Sequence, residues 1–307
     1  MPGSRTQVGT LATLVVVGTW ILVGAGQQPP GPGGPLPLAP LGVRGEAIFP
    51  AFEGWGPHKD DTNVLLVGYF NRNKEQTLDI PIGPNNRIEP GGPDYGQPTH
   101  FKPGRQYGVF AIVLPKDFGN KRLTWTLVAN GQTSVVSMWM NPPYWVDLFK
   151  NTSTGNEPPV IRFSQTGSPL TGPPRELIAQ TLSGAVGQPV PLSLWASDHP
   201  NTTIFDPNPR PEPAGRGRGR GRGGEPPADI TVNWSMYRGP ADVTFAESKI
   251  PLTTKGDEKL VLEAKTTATF SAPGEYWLLA TVNDLSGDGG GGDQCCWTSA
   301  HVRVVVK

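Results

Sequence analysis

Apolar residues recur at every second position of this chain, in short runs set off by glycine, proline and asparagine. In "PVPLSLWASD" (189–198), Val190, Leu192, Leu194 and Ala196 share one face of an extended backbone. In "ITVNWSMY" (230–237), Ile230, Val232, Trp234 and Met236 do the same. "TATFSAPGEYWLLATVND" (267–284) aligns Ala268 with Phe270, then Tyr276, Leu278, Ala280 and Val282. The closing "CCWTSAHVRVVVK" aligns Cys296, Thr298, Ala300, Val302, Val304 and Val306. Upstream, "NVLLVGYF" (63–70), "QYGVFAIVLP" (106–115) and "RLTWTLVANGQTSVVSMWM" (122–140) are further strand-like runs. Asn130-Gly131 divides the last of these. A type I′ turn needs positive φ at both central residues, which this pair tolerates, so 122–140 is predicted as a hairpin. No segment sustains a 3.6-residue spacing, so helices should be few and short.

The expected fold class is therefore all-β, with two antiparallel β-sandwich domains. The 40 glycines and 35 prolines cluster, and the clusters set the divisions. Residues 26–44 read as a Pro/Gly tether, 45–150 as the first sandwich, 151–173 as a linker and 174–307 as the second sandwich. Residues 83–101 read as a long loop between strands. Trp139, Tyr144 and Trp145 are expected to pack where the domains join. "GRGRGRGRGG" (215–224) lies in a low-complexity insertion, 198–229.

"SAPGEYWLLATVND" resembles the penultimate strand of immunoglobulin-like and PKD-like extracellular modules, where a Pro-Gly corner precedes a tyrosine and an alternating apolar run. By that resemblance Tyr276 matches the tyrosine corner and Trp234 the core tryptophan of the third strand. The inter-sheet cysteine pair of antibody domains is absent, and Leu278 stands where the second cysteine would be. The resemblance covers about 130 residues and implies a fold, since such sandwiches host many unrelated roles. It also implies that the loops at 198–229 and 284–294 share one pole. The whole chain looks like an exported bacterial protein.

The N-terminus fixes the compartment expected. "MPGSRTQ" carries one arginine and no acid, an apolar run spans Val8 to Ala25, and small residues close it. This is the layout of a secretory signal peptide cleaved after Ala25; a retained membrane anchor is the alternative. The destination is periplasmic, cell-surface or extracellular. The chain carries 26 basic and 26 acidic residues, so no global charge draws it to nucleic acid or acidic membranes.

Chemistry-bearing residues are sparse. His58, His100, His199 and His301 are scattered, without metal-ligand spacing. The 83–101 loop offers Asn86, Arg87, Glu89, Asp94 and His100 as ligand-binding candidates, and a secreted hydrolase or carbohydrate-active enzyme would use them. Asp284, Asp288 and Asp293, on a glycine-rich loop, present hard oxygens of the kind calcium takes, though without EF-hand spacing. Cys295 and Cys296 are the only cysteines, and an exported protein meets oxidants, so a vicinal disulfide is the first reading. A metal or redox protein built on this pair is a further alternative. The leading reading is a non-enzymatic binding or envelope protein without a cofactor, whose partner is an envelope or extracellular protein or a glycan.

Overall fold

The computed structural model describes residue 3 and residues 40–58, 62–151, 155–173, 177–198, 230–253, 261–284 and 296–307. The expected leader, most of the expected tether, the Arg-Gly insertion, Asp288, Asp293 and Cys295 lie outside these residues. The described residues are strands and connections, with one 3₁₀ turn at Pro142–Tyr144. Chain expected to belong to the tether is already attached by residue 40. Pro40 O accepts from Arg72 Nη2 (2.8 Å), and Gly42 O accepts from Lys74 N (2.9 Å).

The first half is built from β1 (Ile48–Pro57), β2 (Asn63–Asn71), β3 (Leu78–Asp79), β4 (Asn86–Glu89), β5 (His100–Phe101), β6 (Gly104–Leu114), β7 (Leu123–Ala129) and β8 (Gln132–Met138). One antiparallel sheet runs β1-β2-β6 and another β4-β7-β8, with β3 paired to β5. The predicted hairpin is β7–β8: Asn130 and Gly131 take φ of 49° and 75°, as a type I′ turn requires. Phe101, Phe110, Trp125 and Leu127 are fully buried in this half's core. The 83–101 stretch is not the uninterrupted loop expected. It contains β4, which joins the β7 edge through Ile88 and Asn86, a run too short for alternation to reveal.

The second half comprises β9 (Val160–Arg162), β10 (Gln180–Gly184), β11 (Val190–Ser197), β12 (Ile230–Arg238), β13 (Val243–Phe245), β14 (Lys249–Leu252), β15 (Leu262–Phe270), β16 (Gly274–Asn283) and β17 (Trp297–Val306). The sheets are β10-β17-β16-β12-β14 and β13-β15-β11-β9, making a sandwich in which, among the described residues, only β10 and β17 pair in parallel. The inward stripes read from the sequence meet in one core: Leu192, Leu194, Trp234, Phe270, Tyr276 and Val302 all belong to it. Side chains of this size each contribute roughly 1.5–3 kcal/mol on burial. Tyr276 OH donates to Ala272 O (2.8 Å), the corner hydrogen bond that the resemblance implied. The stretch expected as linker supplies β9, which pairs with β11.

The outer face of β17 departs from expectation. A strand with one wet face would expose Trp297, Ser299 and His301, yet all three are buried. The first half covers Trp297. Tyr237 of β12 and Leu279 of β16 join the core of the first half, and Trp297 packs with Val64, Leu66, Ala111 and Leu148. Gly108 of β6 makes room for this contact: its φ is +49°, and a Cβ there would strike the Trp297 ring. The aromatics expected at the junction lie elsewhere. Tyr144 and Trp145 are 48% and 51% exposed, with Tyr144 stacked on Phe52 (5.5 Å, 28°), and Trp139 lies under the Arg122 guanidinium.

Candidate functional site

The five candidates from the 83–101 stretch are turned to separate tasks. Asn86 is fully buried, and its Nδ2 donates to Ile80 O (2.9 Å) and Pro98 O (2.7 Å). Its Oδ1 accepts from Trp125 Nε1 (3.0 Å), so this amide clips the segment to the core. Arg87 and Glu89 pair with each other at 2.9 Å on the surface. His100 Nδ1 lies 2.8 Å from Asp79 Oδ1. Asp94 receives a two-pronged hydrogen bond from Arg238, at 3.0 and 2.7 Å, and another from Gly96 N (2.8 Å). Burial raises the Asp94 pKa, but these hydrogen bonds and the Arg238 charge outweigh it and hold the carboxyl below its ordinary value.

Asp94 thus belongs to the joint between the halves. Arg238 also donates from Nε and Nη2 to Gln97 O (2.9 and 2.6 Å), and its guanidinium lies 4.3 Å over the Trp277 ring. Tyr237 OH donates to Gly96 O, and Thr99 N donates to Tyr237 O (3.2 Å). Behind them lies His301, 1% exposed, with its ring 4.2 Å from that of Tyr237. Burial, and then the Arg238 charge, push its pKa down to about 4. The backbone of Val109 and Leu177 pulls the other way, although neither ring nitrogen completes a hydrogen bond. The imidazole is therefore neutral at neutral pH. Tyr237 and His301 sit on strand stripes that read as solvent-facing, whereas Arg238 shares the parity of the inward Ile230–Met236 stripe and is turned out of it by a register shift between Met236 and Arg238.

At one end of the sandwich, Asn156 Nδ2 donates to Asp284 Oδ2 (2.5 Å), and Asn156 O lies 3.2 Å from Cys296 Sγ. The first aspartate and the second cysteine of the predicted pole therefore meet on one residue. No group of three metal-ligating side chains occurs among the described residues.

A cleft of ≈ 640 Å³ opens beside β17. Its polar lining comes from His58, Ser164, Ser168, Thr171, Gln180 and Ser299, and its apolar lining includes Phe163, Pro169 and Leu170. Among the described residues, no lysine, arginine, aspartate or glutamate lines it. Its walls are pinned by backbone. Ile161 and Leu170 exchange two hydrogen bonds of 2.9 Å, closing the loop between them. Gly172 N donates to Thr298 Oγ1 (2.9 Å), Gly172 O accepts from Ser299 N (3.2 Å), and Thr298 Oγ1 donates to Pro159 O. On the other side Ala179 N donates to His301 O (2.9 Å), where β10 begins its pairing with β17. The cleft lies between these two attachments, over Ser299 and Ala300. Sequence reading assigned no role to this region, because its walls are joined by contacts over 120 residues apart.

No protein-family model matches the chain, and no curated protein matches it. Among solved structures it is similar to the D00-D0 domain of intimin, at 11% identity and a TM-score of 0.25, over 85% of this chain and 100% of that one. It is also similar to domains 4 and 5 of the S-layer protein SbsC, at 12% identity and a TM-score of 0.21, over 85% and 98%. A titin fragment matches at 13% identity and a TM-score of 0.19, over 84% and 98%. Likenesses this loose transfer no residue's role to this chain.

Proposed function

We propose that the protein is exported through the leader at residues 1–25 and acts in the cell envelope, or outside it, as a non-enzymatic binding or structural component. The observation that carries this reading is the joint. Trp297, Tyr237, Leu279 and His301 are buried between the halves as core residues are, and Arg238 ties Asp94 and Gln97 across it. Interfaces between tethered domains that move freely are more polar. A joint filled in this way makes a stiff β body, suited to holding a surface at a fixed distance and orientation on a tether.

Two finer elements belong to the same reading. Calcium at Asp284, Asp288 and Asp293 would suit a loop of hard oxygens in an extracellular setting. A bond between Cys295 and Cys296 is favoured by the compartment and by the lack of a free thiol among the described residues. No observation favours the hydrolase reading, since the five residues it needs are turned to separate partners.

Fractionation of cells carrying a C-terminally tagged chain tests the proposal, with N-terminal sequencing of the product. A mature protein beginning after Ala25 in the envelope or medium, cross-linked there to an envelope component, is the expected result. A full-length chain retained in the cytoplasm overturns it.

A further inference from the structure

We infer that the aromatic turn of the first half, carrying Tyr144 and Trp145, is a binding platform for a glycan whose pyranose rings have equatorial substituents. This goes beyond the envelope reading and does not depend on it. Pro142, Pro143, Tyr144 and Trp145 are exposed one after another, the two aromatics at 48% and 51%. Apolar side chains exposed singly are ordinary, but a contiguous group with two large rings marks a contact surface. The turn is also held. Val146 N donates to Trp55 O (2.9 Å) and Trp55 Nε1 donates to Asn141 O (2.7 Å), so β1 grips it at both ends. Inside it, Tyr144 N donates to Asn141 O (2.9 Å) and Trp145 N to Pro142 O (3.1 Å). Phe52 stacks on the Tyr144 ring, and a parallel bridge pairs Trp145 with Trp55, so these two side chains leave the backbone on one side. Little ordering therefore opposes binding.

The polar tips of the rings select the class of ligand. Trp55 Nε1 is engaged by Asn141, but among the described residues the Trp145 indole N–H and the Tyr144 hydroxyl make no hydrogen bond. Each exposed ring thus offers an apolar face with a polar group at its edge. A pyranose ring with equatorial substituents has the matching form, with C–H bonds on its faces and hydroxyls around its rim. Those hydroxyls both donate and accept, as the Tyr144 hydroxyl does, whereas the Trp145 N–H only donates. Lipid chains would leave both tips unmet. The size argues against a folded protein partner: half of a tyrosine and half of a tryptophan amount to roughly 200 Å², and a stable protein interface takes about 800 Å² from each side. A proline-rich peptide also lies flat on aromatic rings, but its carbonyls only accept.

The test is titration of the purified protein with cellotriose, chitotriose and xylotriose, followed by saturation-transfer NMR up to about 10 mM, which registers dissociation constants of about 1 mM. Sorbitol, with similar hydroxyls and no ring face, is the control; a synthetic peptide of residues 26–40 and phosphatidylcholine vesicles are the competing occupants. Binding of at least one trisaccharide, without sorbitol, is expected. Tyr144→Ala and Trp145→Ala should each weaken it at least about fivefold, the usual consequence of losing one ring contact. Trp145→Phe keeps a ring face and loses the N–H, so its affinity should fall between wild type and Trp145→Ala. All three variants should melt within about 3 °C of wild type, because the altered rings lie half in solvent, so lost binding is not lost fold. Silence from all three trisaccharides overturns the proposal, whether or not the peptide or the vesicles bind. Unchanged binding in both alanine variants overturns the location, and sorbitol binding as well as the sugars overturns the ligand class.

Discussion

His301→Phe should flatten the acid side of this protein's stability curve. The wild-type imidazole is buried against Tyr237 and Trp277, under the positive charge of Arg238, which is itself bonded to Asp94. Its pKa in the folded protein is about 4, whereas an unfolded chain protonates near 6.5. Between those values the unfolded state binds more protons, so stability is fully present above pH ~6.5 and is lost as pH falls towards 4. A gap of this size corresponds to about 3 kcal/mol. Glu53 works in the opposite direction: burial raises its pKa, so its unfavourable contribution fades in acid. The difference between variant and wild type is therefore the quantity to follow.

Phenylalanine keeps a ring of similar size beside Tyr237 and removes two buried nitrogens that lack partners. At pH 8 the variant should lie within about 1 kcal/mol of wild type, as volume-conserving changes do. At pH 4.5 it should be more stable by about 2 to 3 kcal/mol, since most of the histidine's protonation penalty is then in force. Urea unfolding followed by tryptophan fluorescence at half-unit pH steps measures both curves. Two parallel profiles from pH 8 to 4.5 would refute the placement of a neutral, water-excluded imidazole in the joint.

Trp234→Ala and Tyr276→Ala should each cost about 3 to 5 kcal/mol by urea unfolding, and Tyr276→Phe about 1 kcal/mol for its bond to Ala272 O; a loss below about 1 kcal/mol in either alanine variant contradicts the core placement. Residues 40–151 and 155–307, expressed as two chains, should co-purify, and Trp297→Ala should weaken their association at least tenfold; free separation of the wild-type pieces would contradict the buried joint. Unreduced protein treated with alkylating agent should keep its unmodified mass if Cys295 and Cys296 are bonded, and uptake of two alkyl groups by a monomer sinks that proposal.

Alternation was readable wherever a strand has one buried face, because period two then separates core from solvent without knowledge of the partner. Val190, Leu192, Leu194 and Ala196 of β11 are of this kind, and all four lie in the sandwich core. It failed where a second body covers the other face. Trp297, Ser299 and His301 occupy the stripe that alternation gives to water, and Trp297 is buried against Val64 and Leu66 of β2 and Ala111 of β6, far away in the sequence. Asn86 failed for a different reason: a buried asparagine and a ligand-binding asparagine are the same letter, and only the carbonyls of Ile80 and Pro98 distinguish them. The cleft was less legible still, being formed where Gly172 and Ala179 attach to β17 on either side of a gap. One sign was nonetheless present. Tyr237, Leu279 and Trp297 place large apolar groups on nominally wet positions of three adjacent strands, β12, β16 and β17. Tyr237 and Leu279 enter one core of the first half and Trp297 a separate cluster, and apolar groups of this size on a sheet face have to be covered. In this chain the first half covers them, so the apolar residues out of phase with their strands were already marking the joint.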